Sequence, residues 1–512
     1  MPTFINRYAL CRLCKIPPLL LPLLLLVILG PAQLFAYELE KRVEKITLDN
    51  GLRILLMERR TSPTVSLYIR HHVGAADEQS GATGAAHFLE HLMFKGTKSI
   101  GSKNHAQEEP LLQSIYRIGN LLDEEKMKGD GADAKRVAKL KKELTDLQEQ
   151  HRSLTLSNEI DRLYTENGAV GLNASTGQDV TTYQVSLPAN KIELWARIEA
   201  DRMLNPVFRE FYQERDVIME ERRQSVETDP EGKLLEQFLA TAFQAHPYGR
   251  PILGWPSDMS YLNPDYIKHF FEQYHAPNNT VIAIVGDVDR DSVLKLLKRY
   301  FGGLKRQDLK PRHITEEPPQ RGERRTEVTF AASPQVIIGY HKPTMPAFDD
   351  YVFDVIEAIL GQGRTSRFYK SLVEEKGIAK TVQTANGYPG VRFPNLFTIF
   401  ATPRAPHGNA DLERAIYGEI EKLTLTPVTA GEIEKTKNQL KADFIRGLAS
   451  YAGLASKLSY YEIMLGDYRY MINHINVIEK ITPDDIMRVA KKYLTKDNRT
   501  VASLVKTEAP AD

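Results

Sequence analysis

The 512-residue chain repeats itself, and no other feature limits its possible folds so strongly. Asn263-Pro264-Asp265-Tyr266-Ile267 leads through Tyr274 and Asn279 into the apolar run Val281–Val285. Thr482-Pro483-Asp484-Asp485-Ile486 leads through Tyr493 and Asn498 into Val501–Val505, an offset of 219 residues at both Pro and Tyr. In each copy Asn or Thr caps a helix with Pro in its first turn, and a strand follows. A second match joins Ser62-Pro63-Thr64-Val65 to Ser333-Pro334-Gln335-Val336, each opening a strand. A duplication explains both matches. The fold class expected is α+β, with two related α/β halves at 40–302 and 326–508. A linker rich in Lys, Arg, Pro and Gly, 303–325, separates them. Within the first half, Asn50-Gly51 marks a hairpin, Val65–His72 a strand and 84–94 a helix.

One charged, helix-favouring stretch, 103–163, interrupts that half. Leu111, Leu112, Ile115, Ile118, Leu121 and Leu122 keep helical spacing. So do Val137, Leu140, Leu144 and Leu147, and Gly129-Asp130-Gly131 lies between the two sets. This predicts a helical hairpin, its stripe packing hairpin on hairpin, with partner docking as the other use of that surface.

Residues 1–36 read as a secretory signal peptide. Arg7, Arg12 and Lys15 precede an apolar run from Ile16 to Leu29, and Gly30, Ala32 and Ala36 follow. Cleavage is expected after Ala32 or Ala36, placing the mature chain in the periplasm or secreted space. Only an uncleaved segment would tie it to a membrane. Both cysteines, Cys11 and Cys14, lie in this segment, so the mature chain carries no disulfide and no thiolate metal site. Lys+Arg 67 against Asp+Glu 66 leaves +1, without the basic excess of a nucleic-acid binder.

The chemistry gathers at His87-Phe88-Leu89-Glu90-His91. On a helix, residues four apart share a face, so both imidazoles can reach one ion with Glu90 close by. Two neutral imidazoles suit Zn²⁺, and the carboxylate can take a proton from water polarised there. A catalytic zinc needs a third protein ligand and one open position. Candidates on 211–226 and just beyond are Glu214, Glu220, Glu221 and Glu227. Glu214 and Glu221 are seven apart and share a face, whereas Glu220 points elsewhere. One of that pair could hold metal while the other orients a ligand.

His87–His91, Glu214-Arg215-Asp216-Val217-Ile218-Met219-Glu220-Glu221 and His246-Pro247-Tyr248-Gly249 together resemble the M16 metallopeptidases, the insulinase, pitrilysin and mitochondrial processing peptidase family, also called inverzincins. Leu172-Asn173-Ala174-Ser175-Thr176, with Asp179, Thr182 and Tyr183, resembles the family segment after the motif helix. The resemblance covers nearly the whole mature chain. It implies one Zn²⁺ per chain held by His87, His91 and Glu221, Glu90 as general base, and Glu214 as the acidic residue behind a ligand. It also implies two halves forming a clam-shell chamber. Peptides or unfolded proteins would be held as an added strand near Asn173 and Ala174.

Two departures from the family pattern stand out. His91 and Glu221 are 130 residues apart, and the 103–163 insertion accounts for the excess. In the second half, Val373 stands where the family places Arg, and Lys380 where it places Tyr. The expectation is a zinc endopeptidase that relies on a second M16-like subunit, as heterodimer or homodimer, for the Arg/Tyr function. The alternative is a non-catalytic M16-like assembly or binding subunit.

Overall fold

The computed structural model describes residues 39–309 and 313–506. The signal segment lies outside the described residues. Two mixed sheets organise the rest. The first has the order β1(Glu44–Thr47), β2(Arg53–Glu58), β6(Thr280–Gly286), β3(Thr64–His71), β5(Thr181–Pro188), β4(Val170–Thr176). The second has the order β7(Arg324–Phe330), β11(Arg499–Lys506), β8(Gln335–Lys342), β10(Asn395–Pro403), β9(Ala379–Tyr388). Without β1, the two sheets have the same plan. In each, the first and last strands in sequence pair in parallel, and every other pairing is antiparallel. The first strand of the second sheet starts at Arg324, inside the stretch 303–325.

The repeat extends to single hydrogen bonds. Asn279 Nδ2 donates to the Tyr274 carbonyl at 2.8 Å and to the His72 carbonyl at 3.2 Å. Asn498 Nδ2 donates to the Tyr493 and His341 carbonyls, both at 2.8 Å. Each Asn thus closes a helix end onto the central strand pair. The register corrects one detail. Val65 faces Gly286, while Gln335 faces Leu504, so the structural match of β3 to β8 slips two residues from the Ser-Pro match. A two-residue slip keeps every side chain on its own face, so the hydrophobic pattern tolerates it.

Each half lends a helix to the other. Helix Tyr451–Leu465, from the second half, lies across β3 and β6. Its Leu454, Ala455 and Leu458 join Leu55, Met57, Val281 and Val285 in one core. Helix Pro230–Ala242, from the first half, lies across β7 and β11. Its Leu234 and Phe238 join Val328, Ile337 and Leu504. Both Leu234 and Phe238 are fully buried, each worth about 1.5–3 kcal/mol relative to exposure. The exchange makes the halves depend on each other for their apolar faces.

The interruption forms the expected hairpin from α2(His105–Lys126) and α3(Ala134–Arg152), after α1(Ala85–Leu92). Its stripe does more than pack on itself. Leu112, Ile115, Ile118, Leu122, Leu140 and Leu144 all enter the first-half core. The hairpin base is fixed by charge. Arg209 Nε and Nη2 donate to the two oxygens of Glu108 at 2.6 and 2.8 Å, and His151 Nε2 contacts the same carboxylate at 2.8 Å. Glu108 and Arg209 are both 0% exposed. Removing one partner of such a pair strands a buried charge. Arg209→Ala should therefore cost about 3–5 kcal/mol, read as a lowered denaturant midpoint; a loss under about 1 kcal/mol would mean Glu108 has other support.

Candidate metal centre

Helix α1 starts on a glycine for a physical reason. Gly84 has φ +89°, and a Cβ there would lie 2.4 Å from Met259 Sδ and 2.9 Å from the Leu253 carbonyl. The first turn is closed from outside the helix. The Glu78 carboxylate accepts from the Gly84 and Ala86 amides, both at 2.8 Å. Burial works against that charge and pushes the Glu78 carboxyl up to about 8, despite the two amide bonds. Phe88, Leu89 and Leu92 anchor the inner face in the core, leaving His87, Glu90 and His91 together.

The third element is α4(Phe211–Arg222), packed against α1. It carries Glu214 and Glu221 on the face turned to the histidines. Glu221 Oε1 lies 3.8 Å from His87 Nε2, and its Oε2 lies 3.7 Å from His91 Nε2. One ligand atom from each of the three residues lies within 4.8 Å of the others. These gaps are too wide for hydrogen bonds. They are close to the separation of about 3.3 Å between ligands that each stand about 2 Å from one tetrahedral ion. The donor set of two imidazoles and a carboxylate suits zinc. The Glu221 side chain is 42% exposed, so the centre opens to solvent on that side.

The surrounding groups set the charge of the candidate ligands. Burial, then the neighbouring His91, holds His87 down at about 3, so its ring is neutral with a lone pair to offer. His91 Nδ1 donates to Glu214 Oε1 at 2.9 Å, which fixes the tautomer and leaves Nε2 free towards Glu221. Burial opposes charge on His91, but the Glu214 contact outweighs it and raises its affinity for a proton. Glu214 is also buried, yet His91 and Lys95 keep it ionised, with its pKa lowered. Lys95 Nζ stands 2.5 Å from Glu214 Oε2 and 3.1 Å from Glu210 Oε2. Lys95 continues the four-residue spacing His87, His91, Lys95, the one signal of its place here that the sequence carries. Glu90 is buried, and burial raises its carboxyl pKa despite a 2.6 Å bond from Thr176 Oγ1 to Oε2.

The other candidates divide cleanly. Glu220 is turned away, bound to Arg223 and Gln224, and Glu227 faces Arg222 at 3.7 Å. Asn173 and Ala174 lie on β4, beside α1. There they pair with Gln184 and Tyr183 of β5, and among the described residues the other edge of β4 has no partner strand. Val373 packs against the second-half core, and Lys380 is exposed on β9.

The hairpin braces the helix that carries Glu221. Arg215 Nη1 and Nη2 grip Asp123 of α2 at 2.7 and 3.0 Å. Tyr212 crosses α2 at Gly119, where a Cβ would lie 2.0 Å from the ring.

Comparison with known proteins places the chain. The family model described as Insulinase (Peptidase family M16) matches residues 53–110 and 130–255, and the model described as Peptidase M16 inactive domain matches 261–440. The gap, 111–129, is most of α2 and the turn after it. The chain is 28% identical over 492 residues to the zinc protease PqqE of Helicobacter pylori, covering 94% of this chain and 96% of that protein. It is 25% identical over 462 residues to an uncharacterized zinc protease of Streptomyces coelicolor, covering 88% and 87%. Among solved structures, a protease from Helicobacter pylori superposes with TM-score 0.76 at 26% identity, over 90% of this chain and 99% of that one. A protein from Pseudomonas fluorescens described as peptidase M16 inactive domain shares the fold, with TM-score 0.71 at 16% identity over 91% and 98%. Two matched M16 family models, relatives named as zinc proteases and a fold shared with an M16-like protease lead to one conclusion: the chain is a member of the M16, or insulinase, peptidase family.

Proposed function

We propose that this chain is a zinc endopeptidase acting on peptides or unfolded proteins outside the cytoplasm. The observation that carries the reading is the convergence of His87, His91 and Glu221 on one point, with Glu90 on the same short helix. Zinc, when bound, lowers the pKa of water at its open position and polarises a carbonyl. The chain's own residues do the rest. Glu90 takes the proton of the attacking water at Oε1, the oxygen that Thr176 leaves free, and returns it to the leaving amine. Glu214 and Lys95 hold the His91 ring in place. The outer edge of β4, along the segment that holds Asn173 and Ala174, offers backbone groups to an extended peptide, which would fix the scissile bond beside α1.

Val373 and Lys380 support the need for a second M16-like chain. Neither supplies the donor pair that would grip a substrate carbonyl. The same observation favours the second reading, a binding or assembly subunit without its own activity. The test is cleavage of a quenched unstructured peptide by the single-species chain, with and without a co-purifying M16-like chain. A partner that brings oxyanion donors should raise kcat roughly 100-fold. High turnover by the chain alone would remove the partner from the account. No turnover in either setting would favour the second reading. Export to the periplasm or secreted space rests on the segment 1–36.

A further inference from the structure

The catalytic base of this reading is held by a chain of contacts that ends in the other half of the molecule. Thr176 is the last residue of β4 and pairs with Thr181 across a tight turn. Its hydroxyl donates to Glu90 Oε2 at 2.6 Å. The turn is tied down on both sides. The Gly177 and Gln178 carbonyls accept from the Ala75 and Ala76 amides at 3.1 and 2.9 Å. Asp179, buried at 4% exposure, accepts from the Tyr248 hydroxyl at 2.7 Å and from the Val391 and Arg392 amides at 2.7 and 3.1 Å. The last two belong to the β9–β10 loop of the second half. Arg392 then forks onto Asp77 at 2.9 and 3.2 Å. Gly390 seats the loop, since a Cβ there would lie 2.5 Å from Asp179 Oδ2 and 2.6 Å from the Tyr248 hydroxyl.

We propose that Thr176 is the positioning residue for Glu90, and that the second half holds Thr176 in place through Arg392 and the 389–394 loop. The second half then takes part in catalysis without touching substrate. A carboxylate base on a helix has a free rotor, and a misplacement of about 1 Å can cost about 100-fold. The Thr176 hydroxyl removes that freedom at Oε2 and leaves Oε1 for the proton. The proposal rests on the peptidase reading above.

The test is a double-mutant cycle on the full mature chain, in whichever preparation cleaves the quenched peptide. Thr176→Val keeps the β-branched shape and removes the hydroxyl. It should lower kcat roughly 10- to 100-fold with KM and zinc content unchanged. Thr176→Ser restores the donor and should return kcat to within about threefold. Arg392→Met should lower kcat roughly tenfold alone and less than about twofold in the Thr176→Val background, because both changes break one chain of contacts. Arg392→Lys keeps the charge without the fork and carries the cycle if the Met variant does not fold. Cleavage by wild type with Thr176→Val at full kcat, or strictly additive losses, would overturn the proposal alone. No cleavage by wild type in any preparation would overturn the peptidase reading and the proposal with it.

Discussion

Glu90→Gln should abolish peptide cleavage while leaving the metal centre loaded. The substitution keeps the side chain's shape and an oxygen to accept from Thr176, so α1 should pack as before. It removes the group that takes the proton. General-base catalysis typically contributes about 10²–10⁴ in rate, and kcat should fall by that factor. Zinc content, measured by mass spectrometry of the purified chain, should stay at that of wild type. A variant that cleaves within about threefold of wild type would take the proton-transfer role from Glu90. A variant that loses its zinc would show instead that Glu90 belongs to the ligand set.

The second large effect concerns Glu221. Glu221→Ala leaves two imidazoles and no third ligand. Groups that only support a zinc ligand cost about 10- to 100-fold in affinity when removed, so loss of a ligand should exceed about 100-fold. Glu214→Gln should fall in the 10- to 100-fold range, because it only loosens the grip on His91 Nδ1. Glu220→Ala should change nothing, since Glu220 is spent on Arg223 and Gln224. Thermal melts give a readout free of catalysis. Added zinc should raise the melting temperature of wild type and of Glu220→Ala, and should fail to do so for Glu221→Ala. Equal zinc stabilisation of all four proteins would place the ion elsewhere.

The site was legible where helical geometry alone connects the residues. His87, Glu90 and His91 lie within five residues of one helix. Glu214 and Glu221 are two turns apart, so their shared face follows from the helical period. The resemblance, not the spacing, chose Glu221 over Glu214, and Glu221 stands 3.7 and 3.8 Å from the two imidazoles. What the sequence hid is long-range. Thr176 meets Glu90 across 86 positions, and Arg392 meets Asp77 across 315. Neither contact leaves a local pattern. The exchanged helices were hidden for the same reason. The apolar face of Tyr451–Leu465 says that it packs, and nothing in it says which half's sheet it covers. The hairpin stripe showed its helical period, and its two helices pack on each other as expected; what the stripe hid is that the same leucines also enter the first-half core.

The duplication was legible because its markers are structural. Pro264 and Pro483 open matching helices, and Asn279 and Asn498 close them through the same side-chain bonds. The Ser-Pro match misled by two residues because strand periodicity repeats every second position, so a slip of two satisfies the same burial pattern.

The most direct test of the central claim measures zinc content and cleavage of a quenched unstructured peptide on one preparation of the mature chain. Wild type and Glu90→Gln would be compared, each with and without a co-purifying M16-like chain. The account expects about one zinc per chain in both proteins, with cleavage by wild type only. Zinc-free protein that still cleaves the peptide, or wild-type cleavage that survives in Glu90→Gln, would contradict it.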